Sequence, residues 1–96
     1  MDTNLIADIK KITFEFLNAE DFKVFVFGSR ATGTNLKFSD VDLGIEPKKQ
    51  ISPGLISRIE EAFENSNLPY KVDVVDFSKV SEKFKEVAMK DVIYLN

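Results

Sequence analysis

The sequence predicts an α+β fold of two layers, in which a small mixed sheet of three to four strands is packed by about three helices. Three segments carry apolar residues at helical spacing, and three short runs of β-branched and aromatic residues lie between turn-forming residues. The elements follow in the order helix, strand, loop, strand, helix, strand, helix. Because a helix connects the second strand to the third, these two strands are expected to pair in parallel.

The first half of the chain is predicted to form one helix and two strands. An amphipathic helix is expected over Thr3–Asn18, and its apolar stripe consists of Leu5, Ile9, Ile12 and Phe16. The apolar run Lys23–Phe27 ends at a glycine and is typical of a buried strand. A loop is expected over Gly28–Ser39. A second strand over Val41–Glu46 stops at Pro47, which cannot donate a hydrogen bond to a neighbouring strand.

The middle of the second half is predicted to form a helix followed by a strand. Ser52-Pro53 matches a helix start, with Ser as the N-cap and Pro at the first helical position. The apolar stripe of this helix consists of Leu55, Ile56, Ile59, Ala62 and Phe63. The helix ends at Asn67-Leu68-Pro69, and a third strand is expected over Tyr70–Phe77.

The last segment is predicted to form a helix and a short edge strand. The helix is expected to begin near Ser78 or Ser81. Its inward-facing residues are predicted to be Val80, Phe84, Val87 and Ala88. Val92–Leu95 is expected to add the edge strand.

Length and composition limit the chemistry that this chain can perform. With 96 residues there is room for one domain, predicted to span residues 1–96. The net charge of -3 argues against a general nucleic-acid binder, so we expect no direct contact with nucleic acid. The absence of Cys and His excludes disulfides, thiolate sites, the usual zinc sites and imidazole catalysis. An enzyme made from this chain must use carboxylates, hydroxyls, Lys, Arg and metal ions.

The sequence contains no signal for a membrane or for export. No apolar run approaches the ~20 residues of a membrane span, and the N-terminus lacks the apolar region of a signal peptide. We therefore expect no membrane association and a location in the cytoplasm.

Two carboxylates at the start of the second strand are the first candidates for a functional site. Asp40 and Asp42 are two residues apart, so on a strand both side chains point to the same face. Two like charges side by side cost free energy unless a positive charge lies between them, and a hard divalent cation meets this need. The alternative is a solvated strand start, because an isolated Asp-x-Asp is common.

The third strand offers a further carboxylate. Asp73 lies between Val72 and Val74 in an otherwise apolar strand, and burial of an unpaired carboxylate there would be costly. Asp76 alternates to the opposite face and is interpreted as a strand-end or cap residue. Asp73 is therefore predicted to be the third carboxylate of the site.

A Gly-Ser pair directly after the first strand is a candidate phosphate-binding turn. Gly28 can turn the backbone so that N–H groups face an anion, and the hydroxyl of Ser29 is a further donor. Arg30 and Thr32 could contact the same phosphates, although a solvated Arg is an equally good interpretation. Alone, Gly-Ser indicates only a turn; its spacing of ten residues from Asp40 makes it informative.

Taken in this order, the motifs resemble those of the nucleotidyltransferase superfamily that includes DNA polymerase beta. They resemble in particular its minimal, single-domain branch, found as antitoxins paired with HEPN-type ribonuclease toxins. The resemblance rests on Gly28–Gly33, Ser39–Leu43 and Val72–Val75, and in element order it covers nearly the whole chain. One departure lies near the C-terminus, where relatives often carry an acidic residue and Gly before Ile-Tyr and this chain has Lys90-Asp91-Val92.

The resemblance implies a nucleotidyltransferase fold and a role for each candidate residue. Asp40 and Asp42 would bind two Mg²⁺ ions, and Asp73 would complete the ligands of one of them. The metals would clamp the triphosphate of the ATP substrate and activate an acceptor hydroxyl. Ser29 and the backbone of Gly28 would hold the terminal phosphates, and Asp73 would accept the proton of the hydroxyl.

The expected function is Mg²⁺-dependent transfer of AMP from ATP to a hydroxyl of a partner protein. The implied partner is a HEPN-type toxin with a tyrosine as acceptor, so the chain would act as an antitoxin. One alternative is a catalytically inert antitoxin that only sequesters its toxin. Another is transfer to a small molecule such as an aminoglycoside, with the chain as a homo-oligomer. The size of the chain favours an acceptor on another polypeptide, since larger relatives add a domain to hold theirs.

Overall fold

The computed structural model describes residues 3–28 and 40–96, with the backbone alone for Thr3. The described part contains three helices, α1 (Thr3–Thr13), α2 (Leu55–Glu64) and α3 (Glu82–Ala88). It also contains four strands, β1 (Phe22–Phe27), β2 (Val41–Pro47), β3 (Val72–Asp76) and β4 (Ile93–Tyr94). Among these described helices, none combines the length and the apolar character that crossing a membrane requires.

The strands form one mixed sheet in the order β3-β2-β1-β4. β1 pairs antiparallel with both β2 and β4, whereas β2 and β3 are parallel and are connected through α2. The predicted α+β class, the mixed sheet and the parallel pairing of the second and third strands are therefore confirmed. The predicted edge strand is also confirmed, as the two-residue β4.

One face of the sheet is covered by α1 and α2 and is aliphatic. Its strand residues alternate with those of the other face and are buried: Val24, Val26, Val41, Leu43, Ile45 and Val72. The helices contribute Leu5 and Ile9 from α1 and Leu55, Ile59 and Phe63 from α2. We call this surface the aliphatic face.

The opposite face of the sheet carries phenylalanine rings, and we call it the aromatic face. Phe25, Phe27 and Phe77 form its buried cluster, and the Phe25 and Phe77 rings meet edge to face with centroids 4.8 Å apart. Gly44 lies opposite Phe25 in the register, and a Cβ atom there would overlap the Phe25 ring. The ring cluster therefore depends on a glycine at the centre of β2.

The third helix lies against the aromatic face but covers it only in part. Ala88 packs against the ring cluster, and the Lys85 ammonium donates a hydrogen bond of 2.9 Å to Glu46 on β2. Phe84 and Val87 were predicted to face inward. Phe84 does contact the Phe27 and Phe77 rings, but it is still 43% exposed. For Val87 the prediction is wrong, since that side chain is 62% exposed. Of the two predicted starts of this helix, Ser78 and Ser81, the structure selects Ser81, whose hydroxyl accepts a hydrogen bond from the Phe84 N–H.

Two helix boundaries were also predicted wrongly. α1 ends at Thr13 instead of Asn18, because the amides of Glu15 and Phe16 bond to the carbonyls three residues earlier and close a turn. Ser52 does not cap α2. The sequence Ser-Pro-Gly forms a turn in which the Leu55 N–H bonds to the Ser52 carbonyl. Gly54, with φ +81°, then directly precedes the helix, as in a type II turn with Gly at its third position.

Candidate functional site

The starts of two parallel strands bring two of the predicted carboxylates together. Asp42 on β2 is the register partner of Asp73 on β3, and the Val41 N–H bonds to the Lys71 carbonyl at 2.9 Å just before them. Register partners in neighbouring strands point to the same face of a sheet. Asp42 and Asp73 are therefore side by side on the aromatic face, at its polar end.

Asp40 and Asp76 differ in how they relate to this pair. Asp40 is exposed, and it directly precedes β2, two residues before Asp42. Asp76 is three residues beyond Asp73, and its Oδ1 accepts hydrogen bonds of 2.9 Å from the Ser78 N–H and 2.6 Å from the Ser78 hydroxyl. The interpretation of Asp76 as a strand-end cap is confirmed.

The electrostatics of Asp42 reflect this crowding of carboxylates. Burial raises the pKa of the Asp42 carboxyl above its ordinary value, and the charges of Asp73 and Asp40 raise it further. Burial and the neighbouring negative charges make the ionised form of Asp42 unfavourable. A cation bound there would offset both the desolvation and the repulsion. The other two predicted carboxylates thus both act on Asp42.

Gly28 presses its backbone against the Asp42 side chain. Gly28 follows β1 with φ +75°, a conformation that favours glycine. A Cβ atom built on Gly28 would lie 2.5 Å from Asp42 Oδ2. The missing side chain therefore leaves the space that the carboxylate occupies, which places the backbone of the predicted phosphate-binding turn next to the predicted metal ligand.

The donor set suits a hard divalent cation, although the described residues do not form a closed metal cage. Within residues 3–28 and 40–96, no group of three or more His, Cys, Asp or Glu side chains is arranged to hold a metal ion. Mg²⁺ is commonly bound through one or two carboxylates together with substrate phosphates. The Asp42–Asp73 pair with Asp40 beside it fits that pattern, and it leaves coordination positions for the phosphates.

The remaining predicted nucleotide-binding residues, Ser29, Arg30 and Thr32, lie outside the described residues. Two features near the site were missed in the sequence. Lys71 Nζ lies 3.5 Å from Asp73 Oδ1 and forms an ion pair with it. Its position two residues before Asp73, on the same side of an extended strand, was a signal for this pair.

The second missed feature is an apolar groove of about 400 Å³ between α3 and the end of β1. We call it the α3 groove, and its lining is Phe27, Gly28, Phe84, Val87, Ala88, Lys90 and Asp91. The apolar stripe of the last helix was visible in the sequence, but it was assigned to the core.

Comparison with known proteins adds a family and a set of relatives. Residues 8–96 match the sequence profile of the family described as Polymerase beta, Nucleotidyltransferase. Over 70 residues the chain is 40% identical to the probable protein adenylyltransferase MntA of Haemophilus influenzae. This match covers 73% of the chain and 61% of that relative. The chain therefore spans less than two thirds of the length of this relative.

Solved structures share the fold at low sequence identity. A crystal structure of a toxin-antitoxin with AMP-PNP superposes with a TM-score of 0.77 at 20% identity, over 95% of this chain and 72% of that one. A mutant of the toxin-antitoxin MntA-HpeT gives 0.69 at 18% identity, over 100% and 73%. A tri-AMPylated HEPN toxin of Shewanella oneidensis in complex with MNT antitoxin gives 0.61 at 14%, over 95% and 71%. The predicted nucleotidyltransferase fold is confirmed by these likenesses.

Proposed function

Because the chain belongs to the polymerase beta nucleotidyltransferase family, we propose that it transfers AMP from ATP to a hydroxyl of a partner protein. The proposed partner is a HEPN-type toxin, the proposed acceptor is a tyrosine, and the modification would neutralise the toxin. The name of the MntA relative and the AMPylated toxin bound to a fold neighbour support this choice of reaction and partner. A cytoplasmic location is part of the same proposal.

The observation that carries the proposal is the pairing of Asp42 with Asp73 against the backbone of Gly28. Two carboxylates share one face, a third precedes them, and a glycine turn without a side chain adjoins them. This arrangement offers oxygen ligands for a cation next to a glycine turn whose backbone N–H groups would hold a phosphate. A solvated strand start would explain Asp40, but it would not explain why the partly buried Asp42 is kept beside Asp73.

The residues can be given roles in the reaction. The acceptor hydroxyl oxygen attacks the α-phosphorus of ATP, the bond from that phosphorus to the β-phosphate oxygen breaks, and pyrophosphate leaves. Asp73 takes the proton of the hydroxyl. Asp40, Asp42 and Asp73 would hold Mg²⁺, which supplies charge neutralisation for the phosphates and lowers the pKa of the bound hydroxyl. The Gly28 backbone would orient the terminal phosphates, with Ser29, Arg30 and Thr32 as further proposed contacts.

The test is the mass of a purified HEPN-type toxin after incubation with the chain, ATP and Mg²⁺. We expect an increase equal to one or more AMP units, located on a tyrosine by peptide mapping. Asp42→Asn and Asp73→Asn should abolish the increase, since each removes a charge that holds the cation. Asp76→Asn is the matched control on the same strand and should leave the increase unchanged. If Asp76→Asn abolishes the mass increase and Asp73→Asn does not, the third carboxylate of the site is Asp76.

The same experiment separates the alternatives. If the chain neutralises the toxin with no change in mass, and Asp42→Asn neutralises it equally well, the chain only sequesters its partner. If the toxin stays unmodified while an aminoglycoside gains AMP, the acceptor is a small molecule. Either result would overturn the proposed protein acceptor.

A further inference from the structure

We propose that the α3 groove is the subsite for the base of the nucleoside triphosphate, a purine ring stacked on Phe84. This inference rests on the proposed function, because it takes the phosphates to lie at Asp42 and Asp73. The groove has a volume of about 400 Å³, within the range of pockets that hold small molecules. No element of the described residues fills it.

The walls of the groove suit a flat aromatic ligand. Phe84 is 43% exposed and Val87 is 62% exposed, although both are large apolar side chains on a short helix. The Phe84 ring is held by edge-to-face contact with Phe27, with centroids 6.0 Å apart, and by a tilted contact with Phe77 at 5.9 Å. A ring fixed from one side and open on the other is a stacking platform for a nucleobase.

The groove adjoins the carboxylate site. Gly28 lines the groove and also touches Asp42, so the two sites meet at a residue with no side chain. A nucleotide with its phosphates at the carboxylates can pass its sugar over Gly28 and place its base in the groove. A side chain at position 28 would obstruct this path and would displace the Asp42 carboxylate.

The rim of the groove offers polar partners for the edge of a purine. Lys90 and Asp91 lie at the end of α3 and line the groove with the apolar residues. The Lys90 ammonium can donate to a ring nitrogen, and the Asp91 carboxylate can accept from an exocyclic or ring N–H. Apolar walls with a few polar groups at one edge distinguish a base pocket from a flat protein-docking patch.

The test compares two ligands that share phosphates but differ in the base. Affinities of the full chain for Mg²⁺-ATP and for Mg²⁺-tripolyphosphate are measured by titration calorimetry. Phe84→Ala should weaken ATP binding roughly 5- to 150-fold, the usual worth of stacking a base on an aromatic side chain, and should spare tripolyphosphate. Phe84→Leu keeps apolar bulk against Phe27, so it protects the fold, and it should give an intermediate loss for ATP alone.

A second phenylalanine provides the matched control. Phe16 is 38% exposed, a fraction similar to that of Phe84, but it lies after α1 and away from the groove. Phe16→Ala should leave both affinities unchanged. Equal weakening of ATP and tripolyphosphate by both Phe84 variants would show a structural role and overturn the inference. Unchanged ATP affinity with loss of toxin binding would make the groove a protein-docking site, which also overturns it.

Failure of the proposed function has a different signature. If the wild-type chain binds neither ligand, both the proposed function and the base subsite are wrong. If the wild-type chain binds ATP and transfers AMP while both Phe84 variants bind ATP normally, only the base subsite is wrong.

Discussion

The two faces of the sheet are built from the same strands but differ in the residues that they carry. The aliphatic face pairs branched side chains with two helices and leaves no strand residue of its centre exposed, as at Val26 and Leu43. On the aromatic face, phenylalanine rings pack around Gly44 at the centre, and the Asp42–Asp73 pair lies at one end. Strand alternation permits this division, because each successive residue contributes to the other face.

The contrast teaches where stability and chemistry are placed in a small domain. Aliphatic residues can be packed densely by helices that cross them, and they contain no polar atoms that need partners. A carboxylate buried in such a core would lack hydrogen-bond partners, but it is tolerated at the partly exposed end of the aromatic face. Asp42 and Asp73 are accordingly only half-buried, whereas α1 and α2 pack against the aliphatic core.

The largest expected effect comes from breaking the aliphatic face. Leu43 is fully buried in the strand between β1 and β3, so Leu43→Ala should lower the free energy of unfolding by about 2–5 kcal/mol. Urea-induced unfolding followed by circular dichroism measures the change. Val87→Ala, on the exposed side of α3, is the control and should stay within about 0.5 kcal/mol of wild type. Similar losses for both would mean that the aliphatic face does not dominate stability.

The aromatic face should be broken by a smaller change. A methyl group at Gly44 would lie 2.8 Å from Phe77 Cε1 and closer still to the Phe25 ring. Gly44→Ala should therefore lower the free energy of unfolding by about 1–3 kcal/mol through overpacking. Adding Phe25→Leu should restore part of this loss, because it removes the atoms that clash. If Gly44→Ala is neutral in thermal unfolding, the rings are less tightly packed than their centroid distances indicate.

The sequence predicted the sheet well because strand alternation is a local signal. Both faces of β1 are buried, and Val24 to Phe27 accordingly form the continuous apolar run that is typical of a buried strand. The parallel pairing of β2 and β3 followed from the intervening helix, and it placed Asp42 near Asp73. The family was also predicted correctly from the motifs around Gly28, Asp42 and Asp73.

Helix ends and the fate of α3 were harder to predict, for physical reasons. Leu17 is buried at helical spacing after Ile9, but the chain reaches it through a tight turn at Thr13, and spacing cannot distinguish the two paths. The stripe on α3 looks the same whether it faces a core or a groove. Phe84 both contacts the Phe27 ring and lines the groove, and how much of it is covered depends on how the short helix packs in three dimensions.

The third comparison tests the glycine that joins the aromatic face to the site. Gly28 and Gly54 both have positive φ, at 75° and 81°, so alanine at either position should cost about 1–2 kcal/mol of backbone strain. A Cβ atom at Gly54 meets nothing within 4 Å, whereas at Gly28 it meets Asp42 Oδ2 at 2.5 Å. Gly28→Ala should therefore also abolish the rise in melting temperature that Mg²⁺-ATP gives, and Gly54→Ala should keep it.

The readout is differential scanning fluorimetry with and without Mg²⁺-ATP. The shift upon ligand addition is compared between the two variants, so the strain common to both cancels. If the two variants show equal shifts of melting temperature upon ligand addition, Gly28 is not part of the nucleotide site, and the proposed phosphate-binding turn is wrong.

The smallest expected effect is a gain of stability at the carboxylate pair. Since burial and the neighbouring charges raise the pKa of Asp42, the folded chain binds this proton more tightly than the unfolded chain does. The free energy of unfolding therefore falls as pH rises from the ordinary aspartate range through the raised pKa, and this loss persists at neutral pH. Asp42→Asn removes the ionised group, so it should raise the melting temperature of the ligand-free chain slightly at neutral pH.

The pH dependence separates this cause from a general effect of charge. Below the ordinary pKa range of aspartate the wild-type carboxyl is protonated in both states, so the advantage of Asp42→Asn should vanish there. Asp8→Asn, at an exposed position on α1, removes the same negative charge from the chain and should give little gain at either pH. Melting curves of the three chains across acidic to neutral pH provide the measurement.

With Mg²⁺-ATP present, the wild-type chain should instead melt at a higher temperature than Asp42→Asn. The cation stabilises the ionised pair in the wild-type chain and has lost a ligand in the variant. If Asp42 is a ligand of the cation, Asp42→Asn should be more stable than wild type without ligand and less stable with it. A loss of stability in both conditions would make Asp42 a structural residue.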